Sequence, residues 1–345
     1  MQSRRTTMQQ VAASAGVSLK TVSRVVNGES GVSPRLHMRV LAAVEQLGYR
    51  HNLAASNLRR GTNTASIGVL VQDVGNMFCS ELLRVVEDTA RERGVVVMAG
   101  SLDESEDRER EMVAALVARR IDGLILMPAS KHQDYLAPDI RAGLNVVLVD
   151  RRPESDLFDS VSADNVGGSR ELVAHLIGYG HRRIAFLGDS AEIATAIERR
   201  AGYREALRQA GLGLDPKLEH LGVRTEQDAL ALVGQLLALA DPPTALFTAR
   251  NVITLGAARA LKERGLSHTV ALAGFDDFPA ADLLEPGVTV MRQDVPLLGL
   301  RAIEQLLARI DGDAADPVIT VLPTLMVVRG SGEIAAPGIG ADPTA

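Results

Sequence analysis

The sequence is poor in several residue types, and each shortage narrows the class of protein. Its 345 residues include no tryptophan, one cysteine, six phenylalanines and four tyrosines. One cysteine cannot form an intramolecular disulfide, which fits a reducing compartment, and we expect Cys79 to pack as a small apolar residue. No apolar run is long enough to span a bilayer, and no secretion signal is recognisable. We therefore expect a cytoplasmic protein that makes no membrane contact.

Motifs of catalysis and metal binding are missing as well. We find no GxSxG, HExxH, phosphate-binding P-loop or GxGxxG motif at a position where a fold would use it. The seven histidines show no metal-ligand spacing. The sequence therefore predicts neither an enzyme, nor a cofactor, nor a metal site.

Charge is distributed unevenly along the chain. The whole sequence has a formal net charge of −6, whereas residues 1–61 carry nine Lys and Arg against two acidic residues. The first segment is therefore +7 and the remainder −13. This asymmetry predicts a basic segment that contacts phosphates, joined to an acidic body that avoids DNA.

The first thirty residues predict a helix-turn-helix. Thr7 and Gln10 have the spacing of a capping box, so a helix is expected to begin at Met8. Gly16 ends that helix, and Ser18 can cap a second one. Two short helices joined by a tight turn containing glycine form the helix-turn-helix motif, whose second helix enters the DNA major groove.

The outer face of the second helix is basic. Lys20 and Arg24 lie there with no acidic partner expected nearby, which argues against an ordinary pair of core helices. We expect the following residues to contact DNA: Thr7, Ser18, Leu19, Lys20, Thr21, Ser23, Arg24 and Asn27. A third helix, capped by Ser33 and ended by Gly48, would complete an all-α headpiece over residues 1–50.

From Ala65 onward the sequence predicts an α/β body. Short apolar runs alternate with helix-length segments, a pattern typical of buried parallel sheets covered by helices. The expected strands are 67–71, 95–99, 124–127, 146–149, 184–187, 245–248 and 270–275, and the expected helices include 165–177, 198–210 and 251–264. The charged run 103–111 is interpreted as the solvated start of another helix.

Several polar residues follow the expected strands. Asp73, Asp150, Arg250 and Asp276 lie at or just after strand ends, where ligands bind in open α/β sheets. Loop capping is the alternative role, and we favour it for Asp73 first.

These segments together resemble one family. VAASAGVSLKTVSRVVNG, VSPRLHMRVLAAVEQLGYRHNLAASNLRRG, RRIDGLILMPA, DNVGGSRELVAHLIGYGHRRIAFLG and LAGFDD are similar to the lactose-repressor (LacI) family of bacterial transcription factors. The resemblance covers nearly the whole chain up to VLPTLMVVRG.

The resemblance implies an N-terminal all-α helix-turn-helix headpiece and an α/β, two-lobed, periplasmic-binding-protein-like clamshell. A hinge at 51–61 would join the headpiece to an effector-binding and dimerisation domain at 62–330. Lobe 1 would comprise about 62–163 and 293–323, with helix Val295–Ile310 returning to it, and lobe 2 about 164–292. Residues 331–345, rich in Gly, Pro and Ala, are expected to be disordered.

By the same resemblance, the hinge folds into a short helix in the DNA minor groove. Leu58 matches the leucine wedge inserted between base steps, Ala55 the small residue where paired hinges meet, and Asn52 begins the segment. An isolated helix of nine residues is marginal in water, so folding on DNA is consistent with the sequence.

The family's effector site maps onto residues of both expected lobes. Asp276 matches the acid and Arg199 the arginine that hold the effector, and we expect these two to face each other across the cleft. The other candidates implied are Phe78, Asp150, Asp164, Thr195 and Arg250. Arg224 stands where many members carry an aromatic that stacks on the effector. Arginines could instead clamp a carboxylate or phosphate, so a neutral sugar, a sugar acid and a sugar phosphate remain open.

The function implied is a ligand-responsive transcriptional regulator of carbohydrate metabolism. We expect a repressor that binds a pseudo-palindromic operator as a homodimer. The alternatives are an activator or dual regulator of the same family, or a solute-binding protein, for which the headpiece would serve no purpose.

Overall fold

The computed structural model describes residues 6–27, 29–49, 64–153 and 157–337. The chain divides between Thr64 and Ala65 into two compact units. We refer to the first as the headpiece and to the second as the body.

The headpiece contains three helices: α1 (Met8–Ala15), α2 (Leu19–Val26) and α3 (Pro34–Gln46). The capping box of Thr7 and Gln10 is present, and the Ser18 hydroxyl accepts a hydrogen bond from the Thr21 amide, so both predicted helix starts are confirmed. Gly16 ends α1 in the left-handed region at φ 61°, a conformation that favours glycine. Ser33 precedes α3 without a side-chain capping bond. The small core consists of Val11, Ala12, Ala15, Val22, Val25, Val40 and Ala43.

The body alternates strands and helices. Its strands are β1 (Ser66–Val71), β2 (Val96–Ser101), β3 (Gly123–Leu126), β4 (Asn145–Val149), β5 (Asp159–Ala163), β6 (Ile184–Leu187), β7 (Glu219–His220), β8 (Ala245–Thr248), β9 (Ala271–Phe275), β10 (Thr289–Gln293), β11 (Ile319–Leu322) and β12 (Thr324–Val327). Its helices are α4 (Met77–Glu92), α5 (Glu106–Val117), α6 (Ala137–Arg141), α7 (Asn165–Gly178), α8 (Ala194–Gln209), α9 (Glu226–Leu237), α10 (Asn251–Glu263) and α11 (Val295–Ile310).

Two six-stranded sheets define two lobes. The sheet of lobe 1 has the order β11-β5-β4-β3-β1-β2 and is parallel throughout. The sheet of lobe 2 has the order β12-β10-β9-β8-β6-β7, and only β12 runs antiparallel to its neighbour. The chain passes between lobes after β5, after β10 and after β11, and α11 packs in the core of lobe 1. This is the two-lobed α/β architecture that the sequence predicted.

The structure differs from the sequence-based expectations in its strands and at its C-terminal segment. Strands β7, β10, β11 and β12 were not predicted. Strand β5 was not foreseen because its sequence, DSVSA, alternates serine with apolar residues, although Ser160 and Ser162 are fully buried. The expected disorder of 331–345 is wrong for residues 331–337. Ser331 and Ala336 are buried there, and Glu333 pairs with His175 of α7. The segment is fixed because its polar groups find partners on lobe 2. Residues 338–345 lie outside the described part of the chain.

Candidate functional site

The N-terminal end of α2 presents an open polar surface. Val22 and Val25 of this helix are buried against the headpiece core, which leaves Ser18, Leu19 and Lys20 exposed. Thr21, Ser23, Arg24 and Asn27 are half-buried, and the Asn27 amide donates to the Ser23 hydroxyl. The helix therefore offers its first turn to a partner, as a recognition helix does.

The expectation that Arg24 has no acidic partner is wrong. Its Nη2 donates to the carbonyl oxygen of Ser30 at 2.6 Å, and its Nε lies 3.7 Å from a Glu29 carboxylate oxygen. Gly31, at φ 96°, makes room for this arrangement, because a Cβ there would lie 2.7 Å from Nη2 of Arg24. The acid was missed because the loop after α2 turns back onto the helix.

The predicted hinge contacts Asn52, Ala55 and Leu58 lie outside the described residues. They stay predictions.

A polar pocket lies between the two lobes at the carboxyl ends of their strands. Lobe 1 contributes Gln72, Asn76, Phe78, Cys79, Glu104, Met127, Asp150 and Arg151, and lobe 2 contributes Asp189, Ile193, Thr195, Ala196, Arg199, Ala249, Arg250, Asn251, Asp276 and Gln293. Its volume is about 50 Å³, which is enough to hold water but far below the roughly 300–1,000 Å³ of pockets that hold larger ligands. We call this the inner pocket.

Arg199 and Asp276 pair with each other within lobe 2, so the expectation that they face each other across the cleft is wrong. Nη1 of Arg199 donates to Asp276 at 3.0 Å and to the Ala249 carbonyl at 2.8 Å, and its Nε donates to Asn165 at 2.8 Å. The guanidinium carbon lies 3.9 Å from the centre of the Phe275 ring. The pair forms because the Arg199 side chain of α8 extends to the end of β9, a contact that sequence position does not reveal.

Asp276 is also held from the crossover after β10. The Gln293 side-chain amide donates to it at 2.6 Å, whereas Oε1 of Gln293 is buried without a partner among the described residues. Asp276 has φ 70°, a left-handed conformation that is strained for a non-glycine residue. Such strain is often retained at functional sites.

Asp150 occupies the matching position in lobe 1, directly after β4. It too is left-handed, at φ 68°, and only 7% exposed. Burial raises the pKa of Asp150 to about 6, although the nearby guanidinium groups of Arg151 and Arg199 lower it. Arg151 itself is held by Glu104, through Nη1 to Oε2 at 2.7 Å and Nη2 to Oε1 at 2.5 Å.

Three contacts connect the lobes around the inner pocket. Arg250 bonds to Asp189 of its own lobe at 2.5 Å and donates to Gln72 of lobe 1 at 3.1 Å. The Asn76 amide approaches Asn251 at 3.5 Å. Lys131 of lobe 1 forms an ion pair with Glu192 of lobe 2. The lobes are therefore in contact with each other beside the inner pocket in this structure.

The remaining predicted site residues divide into two groups. Phe78 and Thr195 line the inner pocket together with Asp150, Arg199, Arg250 and Asp276. Asp164 instead caps α7, accepting from the Gly167 amide at 2.8 Å. Arg224 is exposed and does not line the inner pocket; it lines an outer cleft of about 970 Å³ that shares Gln72, Asn76, Glu104, Arg250 and Asn251 with the inner pocket. Asp73 accepts from the Gly75 amide, so its expected role as a loop cap is confirmed.

The charges of the inner pocket nearly balance. Four carboxylates (Glu104, Asp150, Asp189, Asp276) face three guanidiniums (Arg151, Arg199, Arg250). Each guanidinium already contacts a carboxylate within 4 Å. A bound anion would therefore meet cations that are paired, which removes the electrostatic argument for an anionic ligand.

Sequence reasoning missed several lining residues that its own rule could have found. Gln72 follows β1, Arg151 comes two residues after the end of β4, and Asp189 comes two residues after the end of β6, all at carboxyl ends of strands. Gln293 ends β10, a strand that was not predicted. Glu104 gave no such signal, since it lies inside a charged run.

Within the described residues, no helix combines the length and apolar character needed to cross a membrane. The same residues contain no group of three or more His, Cys, Asp or Glu side chains arranged to hold a metal ion.

Comparisons with known proteins agree on one family. Residues 7–52 match the bacterial regulatory proteins of the lacI family, and residues 173–332 match a periplasmic binding protein-like domain. The chain is 35% identical to the HTH-type transcriptional regulator CelR of Thermobifida fusca over 95% of its own length and 99% of that protein. It is 34% identical to the regulator AscG of Escherichia coli, covering 90% and 94% of the two chains.

Comparison with solved structures indicates the same family. The lac repressor dimer bound to operator and the anti-inducer ONPF superposes with a TM-score of 0.85 at 28% identity, over 95% of this chain and 99% of that one. The CelR–cellobiose complex has a TM-score of 0.71 at 32% identity, over 95% and 100% of the chains. This chain belongs to the lacI family of bacterial regulatory proteins.

Proposed function

We propose that this transcriptional regulator is a cytoplasmic, dimeric repressor, not an enzyme, that binds a pseudo-palindromic operator and is controlled by a neutral sugar. The proposal rests on one observation: a single chain contains a headpiece with an exposed recognition helix and a body with a pocket of nearly balanced charge between two lobes. Each half supports a different part of the function.

The headpiece supports operator binding. A two-fold dimer would present two α2 helices to half-sites one helical turn apart. Leu19, Lys20 and Arg24 would read base edges, because they lie on or beside the exposed first turn. We assign backbone contacts to Thr7, Ser18, Thr21, Ser23 and Asn27, and minor-groove contacts to Asn52, Ala55 and Leu58.

The inner pocket supports an uncharged ligand rich in hydroxyl groups. Buried carboxylates accept from hydroxyls, and guanidiniums and amides donate to them, which is the mixed polar set that orients a small ligand. We assign effector contacts to Phe78, Asp150, Thr195, Arg199, Arg250 and Asp276. Asp164 and Arg224 are left out because neither lines the inner pocket. Since the CelR structure contains cellobiose, cellobiose is the first sugar to test.

Opening and closing of the lobes would couple the two halves. A pocket of about 50 Å³ is too small for a sugar ring, so the lobes or their side chains must move before a sugar enters. An effector that binds one lobe arrangement more tightly than the other shifts the population towards it. The resulting change in lobe 1 would alter how two hinges pair on the operator.

The test uses the full chain and operator duplexes selected from a randomised library. Fluorescence anisotropy would be measured with cellobiose, glucose, gluconate and glucose 6-phosphate. We expect a neutral sugar to weaken operator binding and the two anions to have no effect. Failure to select any sequence would contradict the DNA-binding function, and a response confined to the anions would contradict the neutral effector. A sugar that strengthens binding would contradict the proposed induction.

A further inference from the structure

Glu109 is the most deeply buried carboxylate of the described body. It lies on α5, inside the charged run that the sequence suggested was solvated, yet it is 0% exposed. The expected helix start is confirmed, and the expected solvation fails at Glu109 because the helix turns this acidic side chain inward, beneath a loop of the same lobe. A charged group is retained in such a place only if hydrogen bonds replace its lost hydration.

The hydrogen bonds to Glu109 all come from residues 128–136, the segment after β3, which we call the cleft loop. Its Oε2 accepts from the amides of Ala129 at 2.5 Å and Ser130 at 3.1 Å, and its Oε1 accepts from the Tyr135 hydroxyl at 2.6 Å. One carboxylate thereby fixes both ends of the loop.

Two further hydrogen bonds hold the cleft loop, one from Arg151 outside the loop and one between residues of the loop. Nη1 of Arg151, an inner-pocket residue, donates to the Pro128 carbonyl at 2.7 Å. The Gln133 amide donates to the Ser130 carbonyl at 2.6 Å. These bonds attach the loop to lobe 1 and, through Arg151, to the lining of the inner pocket.

The tip of the cleft loop contacts the opposite lobe. Lys131 forms an ion pair with Glu192, which lies between Asp189 and Ile193, two residues that line the inner pocket. Glu109 and Lys131 are thus connected through the loop backbone, with Glu109 on the buried side and Lys131 on the side facing lobe 2.

We propose that Glu109 is a positioning residue for closure of the two lobes: it holds the cleft loop so that Lys131 meets Glu192 when the lobes close. The proposal concerns the motion on which the proposed effector response rests. Its test needs no effector, however, so either proposal can fail without the other.

The experiment measures lobe closure directly in the full chain. Spin labels are placed on cysteines introduced at exposed Ile140 of lobe 1 and Leu214 of lobe 2, and pulsed electron resonance gives the distance distribution. Cys79 stays unlabelled because it is 2% exposed and burial raises its pKa to about 11. Dilution with unlabelled protein leaves one labelled protomer in any dimer.

We expect Lys131→Ala and Glu192→Ala each to lower the closed-to-open ratio by two- to five-fold, the range for an exposed ion pair. Glu109→Gln keeps the side-chain volume but replaces one acceptor oxygen and the negative charge with an NH2 group, so its ratio should fall, at most as far as in Lys131→Ala. In the Lys131→Ala background, Glu109→Gln should have no further effect, because the two residues act through one contact. Tyr135→Phe removes one of the three bonds and should shift the ratio less, in the same direction.

A purely structural role for Glu109 gives a different result. Glu109→Gln would then lower the melting temperature while leaving the distance distribution unchanged, which would overturn the proposal. An equal fall in the closed-to-open ratio on Glu109→Gln in the wild-type and in the Lys131→Ala protein would overturn it as well. If Glu109→Gln does not fold, Tyr135→Phe provides the test. A fall in the closed-to-open ratio that is absent when Tyr135→Phe is combined with Lys131→Ala supports the proposal. An unchanged ratio in Tyr135→Phe alone refutes it.

Discussion

Arg199 and Asp276 form a buried ion pair, with Nη1 and Oδ2 3.0 Å apart, inside a single lobe. The effector would therefore meet a preformed pair and not two separate charges. Three further bonds, from Arg199 to Asn165 and Ala249 and from Gln293 to Asp276, fix the orientation of both groups before any ligand binds. Preorganisation of this kind lowers the entropic cost of binding.

Asp276→Asn should abolish the effector response and leave operator affinity unchanged. The substitution removes the charge that Arg199 needs while preserving shape, and the headpiece is a separate compact unit. Losing one partner of a buried pair typically costs about 3–5 kcal/mol of stability. Operator binding with and without the effector, together with denaturant unfolding, measures both effects. Asp164→Asn, which changes a helix cap outside the pocket, should lose at most about 1 kcal/mol, because Asn caps a helix about as well as Asp, and should still respond.

Asp150 should make stability fall between about pH 4 and pH 6. Its folded pKa of about 6 lies above its ordinary value of 3.8, so in this interval the folded state keeps a proton that the unfolded state has lost. The free energy of unfolding then decreases with rising pH, by up to about 1.4 kcal/mol per unit, and levels off above pH 6. Unfolding curves of wild type and Asp150→Asn, compared across this range, should differ by that slope. A constant difference would refute the assignment, and Asp107→Asn, on the exposed side of α5, controls for the loss of one carboxylate.

Arg224→Ala should change effector affinity by no more than about five-fold, the upper range for one exposed charge. The effector dissociation constant should also be independent of salt, because a neutral sugar has no charge to screen. Calorimetric titration at low and high ionic strength measures both quantities. An effector dissociation constant that depends steeply on salt, and loses this dependence in Arg224→Ala, would support an anionic effector instead.

Arg24→Ala should cost about 1–3 kcal/mol per half-site and relax base preference at one position. Its present bond to Ser30 and its approach to Glu29 must be broken first. Glu29→Gln should therefore tighten operator binding slightly, by up to about five-fold. Binding to a set of single-base operator variants provides the measurement. If Arg24→Ala weakens binding to every operator variant equally, Arg24 contacts a phosphate and not a base.

Leu58→Ala should weaken operator binding and reduce DNA bending, since an apolar wedge between base steps is lost. Circular-permutation mobility measures the bend, and Leu53→Ala in the same segment serves as a size-matched control. A bend that is unchanged in Leu58→Ala would exclude the wedge.

The sequence predicted those parts of the fold that depend on local pattern. Strands β6 and β8 and helix α11 have the expected bounds because their apolar periodicity is unbroken. Strand β5 escaped because three of its five residues are polar, and composition does not show that Ser160 and Ser162 are fully buried. In the site, strand ends pointed to Asp150, Arg250 and Asp276. The pairings of Arg199 with Asp276, and of Glu109 with the cleft loop, depend on packing between distant segments, so no local pattern could reveal them.

The three passages of the chain between the lobes have a consequence for its synthesis on the ribosome. The sheet of lobe 1 needs β11, at residues 319–322, and its core needs α11, so lobe 1 cannot be completed until almost the whole chain has emerged. The sheet of lobe 2 likewise stays incomplete until β12 has been synthesised. The headpiece, which is made first and has its own core, has no such delay. A translation product that stops early would therefore carry a DNA-binding module without the lobes that place it under the control of a sugar.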